Sequence, residues 1–165
     1  MKIAVYVDLS NLYYSINRKW GNRKLSYNEY TTFIKGIGDV VKLKAYGAQA
    51  KSQATGFIKR VGRLGYEVKY KEPKVFVKEN GGIIKKADWD VGIAVDVIKD
   101  MENEKIDLVV LGSADGDMEP LVNYLIDKDI KVVVIACNIA NELKKSATKC
   151  IEIIESMLEG PTETS

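Results

Sequence analysis

Three uninterrupted apolar runs constrain this chain most: Ile3-Ala4-Val5-Tyr6-Val7, Leu108-Val109-Val110-Leu111 and Val132-Val133-Val134-Ile135-Ala136. Runs of that length without alternation suit strands buried on both faces, as in a parallel sheet whose faces are covered by helices. Helix-like stretches alternate with them. Ser10 to about Trp20 reads as a helix broken by Gly21-Asn22, and Ser26-Tyr27-Asn28-Glu29 has the spacing of a capping box for a helix from Tyr27 to about Ile37. A strand over Val40–Tyr46, a basic helix over Ser52–Leu64 stopped by Gly65, and a period-two strand over Tyr66–Lys71 follow. Val75–Lys78 and Ile83–Lys86 flank Glu79-Asn80-Gly81-Gly82 as a hairpin would. Helices are expected from Asp88 to about Met101, from Asp117 to about Asp127 and over Asn141–Ser146, with an edge strand over Cys150–Ile154. This alternation predicts an α/β fold with a mainly parallel central sheet. With 165 residues, one domain over 1–159 and a polar tail over 160–165 are expected.

Composition removes several chemistries. The chain has no His and two Cys, Cys137 and Cys150. Ser-His-Asp and Cys-His catalysis, a His general base and His-ligated zinc are therefore excluded. Two cysteines make neither a zinc site nor a disulfide framework, so a reducing, cytoplasmic setting is the simpler expectation. No apolar stretch is long enough to span a membrane, and the opening MKIAVYVD reads as a strand rather than a signal-peptide core. Charge is unevenly spread. Lys42 to Lys86 holds 12 basic and three acidic residues, a net +9, while the remainder carries −7. A basic middle between acidic flanks fits an anionic partner held near carboxylates, although a plain solvated face explains the charge equally well.

The chemistry-bearing residues lie where two apolar runs end. Asp8-Leu9-Ser10-Asn11 follows Val7, and Gly112-Ser113-Ala114-Asp115-Gly116-Asp117 follows Leu111. Open α/β sheets bind ligands outside the carboxyl ends of their strands, at the point where the strand order reverses. If the two strands are neighbours, Asp8, Asp115 and Asp117 converge there. Each has an ordinary explanation too: Asp8 as a helix cap, Asp115-Gly116 as a turn, Asp117 as an N-cap. Asp88-Trp89-Asp90 opens a further helix, where acids suit the dipole. Asp90 shares a stripe with Ile93, Ala94 and Val97, which should aim it at the strand ends; Asp96 sits on another face. Asp90 is thus the preferred acid of the three. An oxygen-only set without His or Cys favours Mg²⁺ or Mn²⁺, and such a set without a nucleophilic side chain points to metal-activated water and phosphodiester hydrolysis. Tyr46, Phe57, Tyr66, Tyr70 and Phe76 interleave with the basic segment, as suits single-stranded nucleic acid, though several of them, Phe57 above all, are expected in the core.

Three ordered motifs carry a resemblance: Val7-Asp8-Leu9-Ser10-Asn11-Leu12, Lys85-Lys86-Ala87-Asp88-Trp89-Asp90-Val91-Gly92-Ile93-Ala94-Val95-Asp96, and Leu111-Gly112-Ser113-Ala114-Asp115-Gly116-Asp117-Met118-Glu119-Pro120-Leu121-Val122. Together they resemble the NYN domain, including its LabA-like group, within the PIN-like nuclease superfamily, over about Lys2 to Leu158. The resemblance implies a three-layer α/β/α (Rossmannoid) fold and metal-dependent ribonuclease activity with Mg²⁺ or Mn²⁺. It makes Asp8, Asp90, Asp115 and Asp117 the catalytic and metal-holding acids, Asn11 and Ser113 their supports, and Asp96 a further family acid. Ala114 stands where the family commonly has Gly, and Met118 where it has Phe; both changes touch packing rather than the acids. Lys86 beside the motif is a candidate phosphate contact, and Lys85, Lys51, Lys59 and Arg63 are further candidates for holding RNA, single-stranded or structured. A homodimer is an option the sequence leaves open. The rival reading is a non-catalytic RNA-binding or scaffold module. A receiver-like phospho-acceptor ranks low, because no Lys follows the strand ending at Ala136. A phosphatase using Asp8 as nucleophile would want an acid at position 10, which is Ser.

Overall fold

The computed structural model describes residues 1–48, 51–72, 74–86 and 88–160, with the side chains of 51–55 and 84–86 outside that description. The expected tail therefore lies outside the described residues from 161 onward. Six strands form one sheet in the order β3-β2-β1-β6-β7-β8, every pair parallel. They are β1 (Lys2–Asp8), β2 (Asp39–Gly47), β3 (Glu67–Tyr70), β6 (Leu108–Gly112), β7 (Lys131–Ala136) and β8 (Lys149–Glu152). The remaining two, β4 (Lys74–Val77) and β5 (Ile83–Lys86), form a separate antiparallel hairpin. The strands that read as uninterrupted apolar runs occupy the middle. In β1, residues Ile3 to Val7 are completely buried, each large side chain contributing roughly 1.5–3 kcal/mol.

Helices cover both faces. These are α1 (Leu9–Trp20), α2 (Tyr27–Lys35), α3 (Lys51–Arg63), α4 (Asp90–Asn103), α5 (Glu119–Asp127) and α6 (Asn141–Ser146). Strand alternation shows which face is which. Tyr6 donates its hydroxyl to Asp100 of α4, while the next residue, Val7, lies on the side where the Tyr30 hydroxyl of α2 reaches Gly112. Tyr30 completes that contact by donating to the Ile135 carbonyl in β7. The result is the expected three-layer α/β/α arrangement.

The helix starts differ from expectation at two instructive places. α4 begins at Asp90 rather than Asp88, and α5 begins at Glu119 after a 3-10 turn over Gly116–Met118. In both, an aspartate accepts from the backbone two residues on: Asp88 Oδ1 from the Asp90 N–H at 2.7 Å, and Asp115 Oδ1 from the Asp117 N–H at 2.9 Å. Such turns compete with the helix and hold the chain outside it. The last strand is Lys149–Glu152 instead of Cys150–Ile154, and it pairs in parallel with β7.

Candidate metal-binding site

Strand order places the site. β1 has β2 on one side and β6 on the other, so the connections leave it in opposite directions and a crevice opens at its carboxyl end. Val7 pairs with Gly112, which sets Asp8 one residue beyond the end of β6 and beside the turn that carries Ser113, Ala114 and Asp115. Asn11 clasps the two turns together: its Oδ1 accepts from the Ala114 N–H at 2.9 Å. Asp8 caps α1, accepting from the Asn11 N–H at 3.0 Å. The capping role and a place in the site therefore coexist.

The third segment arrives from α4. Asp8 lies on the same face of β1 as Tyr6, the face that α4 covers. Trp89, just before α4, anchors this helix start to β2. Its indole N–H donates to the Gly47 carbonyl at 2.9 Å, and its ring packs 5.3 Å from that of Tyr46. Gly92 makes room for it, because a Cβ there would sit 2.6 Å from the Trp89 ring. Lys71 closes the other side, its ammonium 4.4 Å over the indole and bonded to the Asp88 carbonyl.

These supports bring carboxylate oxygens of Asp90, Asp115 and Asp117 within 4.8 Å of one another. Among the described residues no lysine or arginine forms an ion pair with any of the three. Asp90 and Asp115 are half-buried and Asp117 is exposed. Asp8 stands outside this trio but close enough to feel it. Burial pushes the Asp8 pKa up to about 6, the Asp88 and Asp115 charges add to the rise, and the Asn11 and Ser10 amides partly offset it. Asp90 is pushed up to about 7, by burial first and then by the charges of Asp88, Asp115 and Asp8. Like charges so placed resist ionising together. A set of carboxylates alone, half-open to solvent, fits a hard divalent cation such as Mg²⁺ or Mn²⁺ and does not fit zinc.

The other expected site residues fall in different places. Ser113 is fully buried, and its hydroxyl accepts from the Asp115 N–H at 3.3 Å, so it shapes the turn rather than facing the crevice. Asp96 lies away from the trio. Its Oδ2 accepts from Tyr46 Oη and from Lys69 Nζ, each at 2.7 Å. Burial would raise its pKa, but Lys69 and Tyr46 outweigh burial and hold it low. Lys59 and Arg63 are exposed on α3. Lys51, Lys85 and Lys86 have side chains outside the described residues. Tyr46 and Tyr66 belong to the core, Tyr70 is half-buried and Phe76 is 51% exposed; Phe57, expected deepest in the core, is only half-buried, because it packs on the core's margin and lines an open groove.

Two acids outside the expected set stand against these segments. Asp88 raises both Asp8 and Asp90 and caps the segment that carries Asp90. Its signal was present in Asp88-Trp89-Asp90, where the two acids differ only by two residues. Glu142, in the first turn of α6, places its carboxylate against Gly116, 2.8 Å from where a Cβ would stand. Nothing in its own sequence neighbourhood marks it, because it arrives through the packing of α6 on the Gly116 turn.

Comparison with known proteins agrees with this arrangement. The family model described as NYN domain matches residues 2–155. The Low amplitude and bright protein LabA of Synechococcus elongatus is 27% identical over 171 residues, covering 96% of this chain and 88% of its own length. The crystal structure of a protein of unknown function from Vibrio parahaemolyticus superposes with a TM-score of 0.80 at 28% identity, over 96% of each chain.

Proposed function

Because the chain belongs to the NYN domain family, within the PIN-like nuclease superfamily, we propose that it is a metal-dependent ribonuclease that hydrolyses RNA phosphodiester bonds at the carboxyl end of β1. The observation that carries this reading is the trio of Asp90, Asp115 and Asp117, drawn from α4 and the turn after β6 and closing within 4.8 Å. Three such oxygens would hold one or two Mg²⁺ or Mn²⁺ ions. Asp8, facing them from β1, would hold the water shell around the ions.

A cation bound there supplies positive charge to the phosphate oxygens and makes water a better nucleophile near neutral pH. The chain's own contribution is position. Asn11 fixes the Asp8 and Asp115 turns relative to each other. Trp89 fixes Asp90 against β2. Asp8 and Asp90, raised to about 6 and 7, become fully ionised only above neutral pH in the metal-free protein, so ion binding displaces protons and strengthens with pH. Lys59, Arg60 and Arg63, exposed on α3, would supply charge for the RNA backbone, whereas Lys42, Lys44 and Lys69 are taken up by ion pairs with Glu104, Asp100 and Asp96.

The test is a gel assay with single-stranded and hairpin RNA and with DNA, each in Mn²⁺, in Mg²⁺ and in chelator. Cleavage is expected only with a divalent ion, and Asp115→Asn should lower it at least about a hundredfold. Salt-sensitive RNA binding with no ion-dependent product would instead establish a non-catalytic RNA-binding module.

A further inference from the structure

A groove of about 940 Å³ lies among α1, α2, α3 and the ends of β2 and β3. Leu9 and Ser10, the two residues after Asp8, begin it, and Gly47 and Tyr70, the last residues of β2 and β3, line it farther on. It therefore opens along the same edge of the sheet as the acids. Its walls are rich in rings. Tyr13 and Tyr14 on α1 are 53% and 62% exposed and hold each other edge to face, their centroids 5.3 Å apart. Core packing does not account for two adjacent exposed tyrosines on a helix whose buried stripe is Leu9, Leu12 and Ile16. In the same lining Phe57 packs 5.5 Å from Tyr27, and the Arg60 guanidinium stands 5.9 Å from the Phe57 ring. The Tyr70 hydroxyl is buried with no hydrogen-bond partner among the described residues.

Rings with cations at their margins suit unpaired bases, which stack on any aromatic face while their phosphates meet the positive charge. A duplex offers no such faces, because its bases stack on one another. We propose that this groove receives the unpaired nucleotides of a single-stranded RNA on one side of the scissile bond, with Tyr13 and Tyr14 as the stacking platform nearest the acids and Arg60 meeting the phosphates beyond. The identity of the ligand rests on the ribonuclease reading; the stacking itself needs no catalysis. Tyr13 and Tyr14 are binding residues here, remote from bond cleavage.

Fluorescence anisotropy tests this with a labelled, non-self-complementary RNA of about 12 nucleotides, in chelator so that it stays intact. The full chain should bind it, and Tyr13→Ala/Tyr14→Ala should raise Kd about tenfold or more. Tyr13→Phe/Tyr14→Phe should bind like wild type, since the rings remain. So should Tyr124→Ala, which removes an exposed tyrosine of α5 that lies outside the groove. The same RNA annealed to its complement should compete poorly. Unchanged affinity in the double alanine variant, or equal competition by duplex, overturns the proposal. Melting temperatures of the variants separate loss of binding from loss of fold. Since no cleavage is read, a chain that binds through these rings yet never cuts ends the ribonuclease reading alone. A chain that cuts but is indifferent to the rings ends this one alone.

Discussion

Asp8 sits at the last position of β1, a central strand buried from Ile3 onward, and that position sets its proton affinity. Its folded pKa, about 6, lies above the ordinary carboxyl value. A raised folded pKa means that the native state binds the proton more tightly than the unfolded state. The associated stability is complete below about pH 4 and is lost as pH rises through 6. Asn in this place keeps the cap on α1 and never ionises. Asp8→Asn should therefore match wild type near pH 4 and exceed it by about 2–3 kcal/mol near pH 8 without metal, as read by urea unfolding in chelator. Equal stability at both pH values would show that Asp8 is not held in the crowded, desolvated place described. Asp8, Asn11 and Asp115 were legible in the sequence because each directly follows an apolar run or its turn. The division of labour among them was not. Whether Ser113 faces the crevice or its own backbone depends on one side-chain rotation inside a buried turn, and no spacing encodes that.

At the scale of elements, α4 decides whether the acids meet. Its start is fixed by Trp89, and Trp89 fits because residue 92 has no side chain. Farther along, Asp100 is buried between Tyr6 Oη at 2.8 Å and Lys44 Nζ at 2.9 Å, and Asp96 is tied to Lys69 and Tyr46. Those bonds pin the helix to β1, β2 and β3. They also explain why Asp96 lies apart from the trio: it is part of the fastening. Gly92→Ala offers a decisive change. Helix propensity alone would favour Ala by about 1 kcal/mol. A methyl group 2.6 Å from the indole costs more, about 1–3 kcal/mol, because both Trp89 and the helix backbone are constrained. The variant should be less stable than wild type and should lose ion-dependent cleavage out of proportion to its stability. A stability gain would show that Trp89 is free to move. From sequence, the helix and its apolar stripe were readable, but its true start was not, because an aspartate turn and a helical first turn look alike in one dimension.

For the whole molecule, the parallel sheet was legible because apolar runs, helix caps and glycine stops all agree. The exact order of its strands was not, since nothing local says which strands neighbour β1. That order makes the site: with β2 on one side and β6 on the other, acids separated by some hundred residues share one crevice. Lys71 stands on the Asp88 carbonyl beside the acids, and the groove with Tyr13 and Tyr14 begins at Leu9, directly after Asp8. Such a surface attracts a polyanion but needs a cation between phosphate and carboxylate. Under the proposed function, the clustered aspartates hold that cation. Calorimetric titration of Mn²⁺ into the chain at about pH 8 measures it most directly, with an Asp90→Asn/Asp115→Asn variant alongside. Saturable binding by the wild type, weakening as pH falls below about 7, is expected, together with its loss in the variant while the fold is retained. Equal binding by both chains, or none by the wild type, would contradict it.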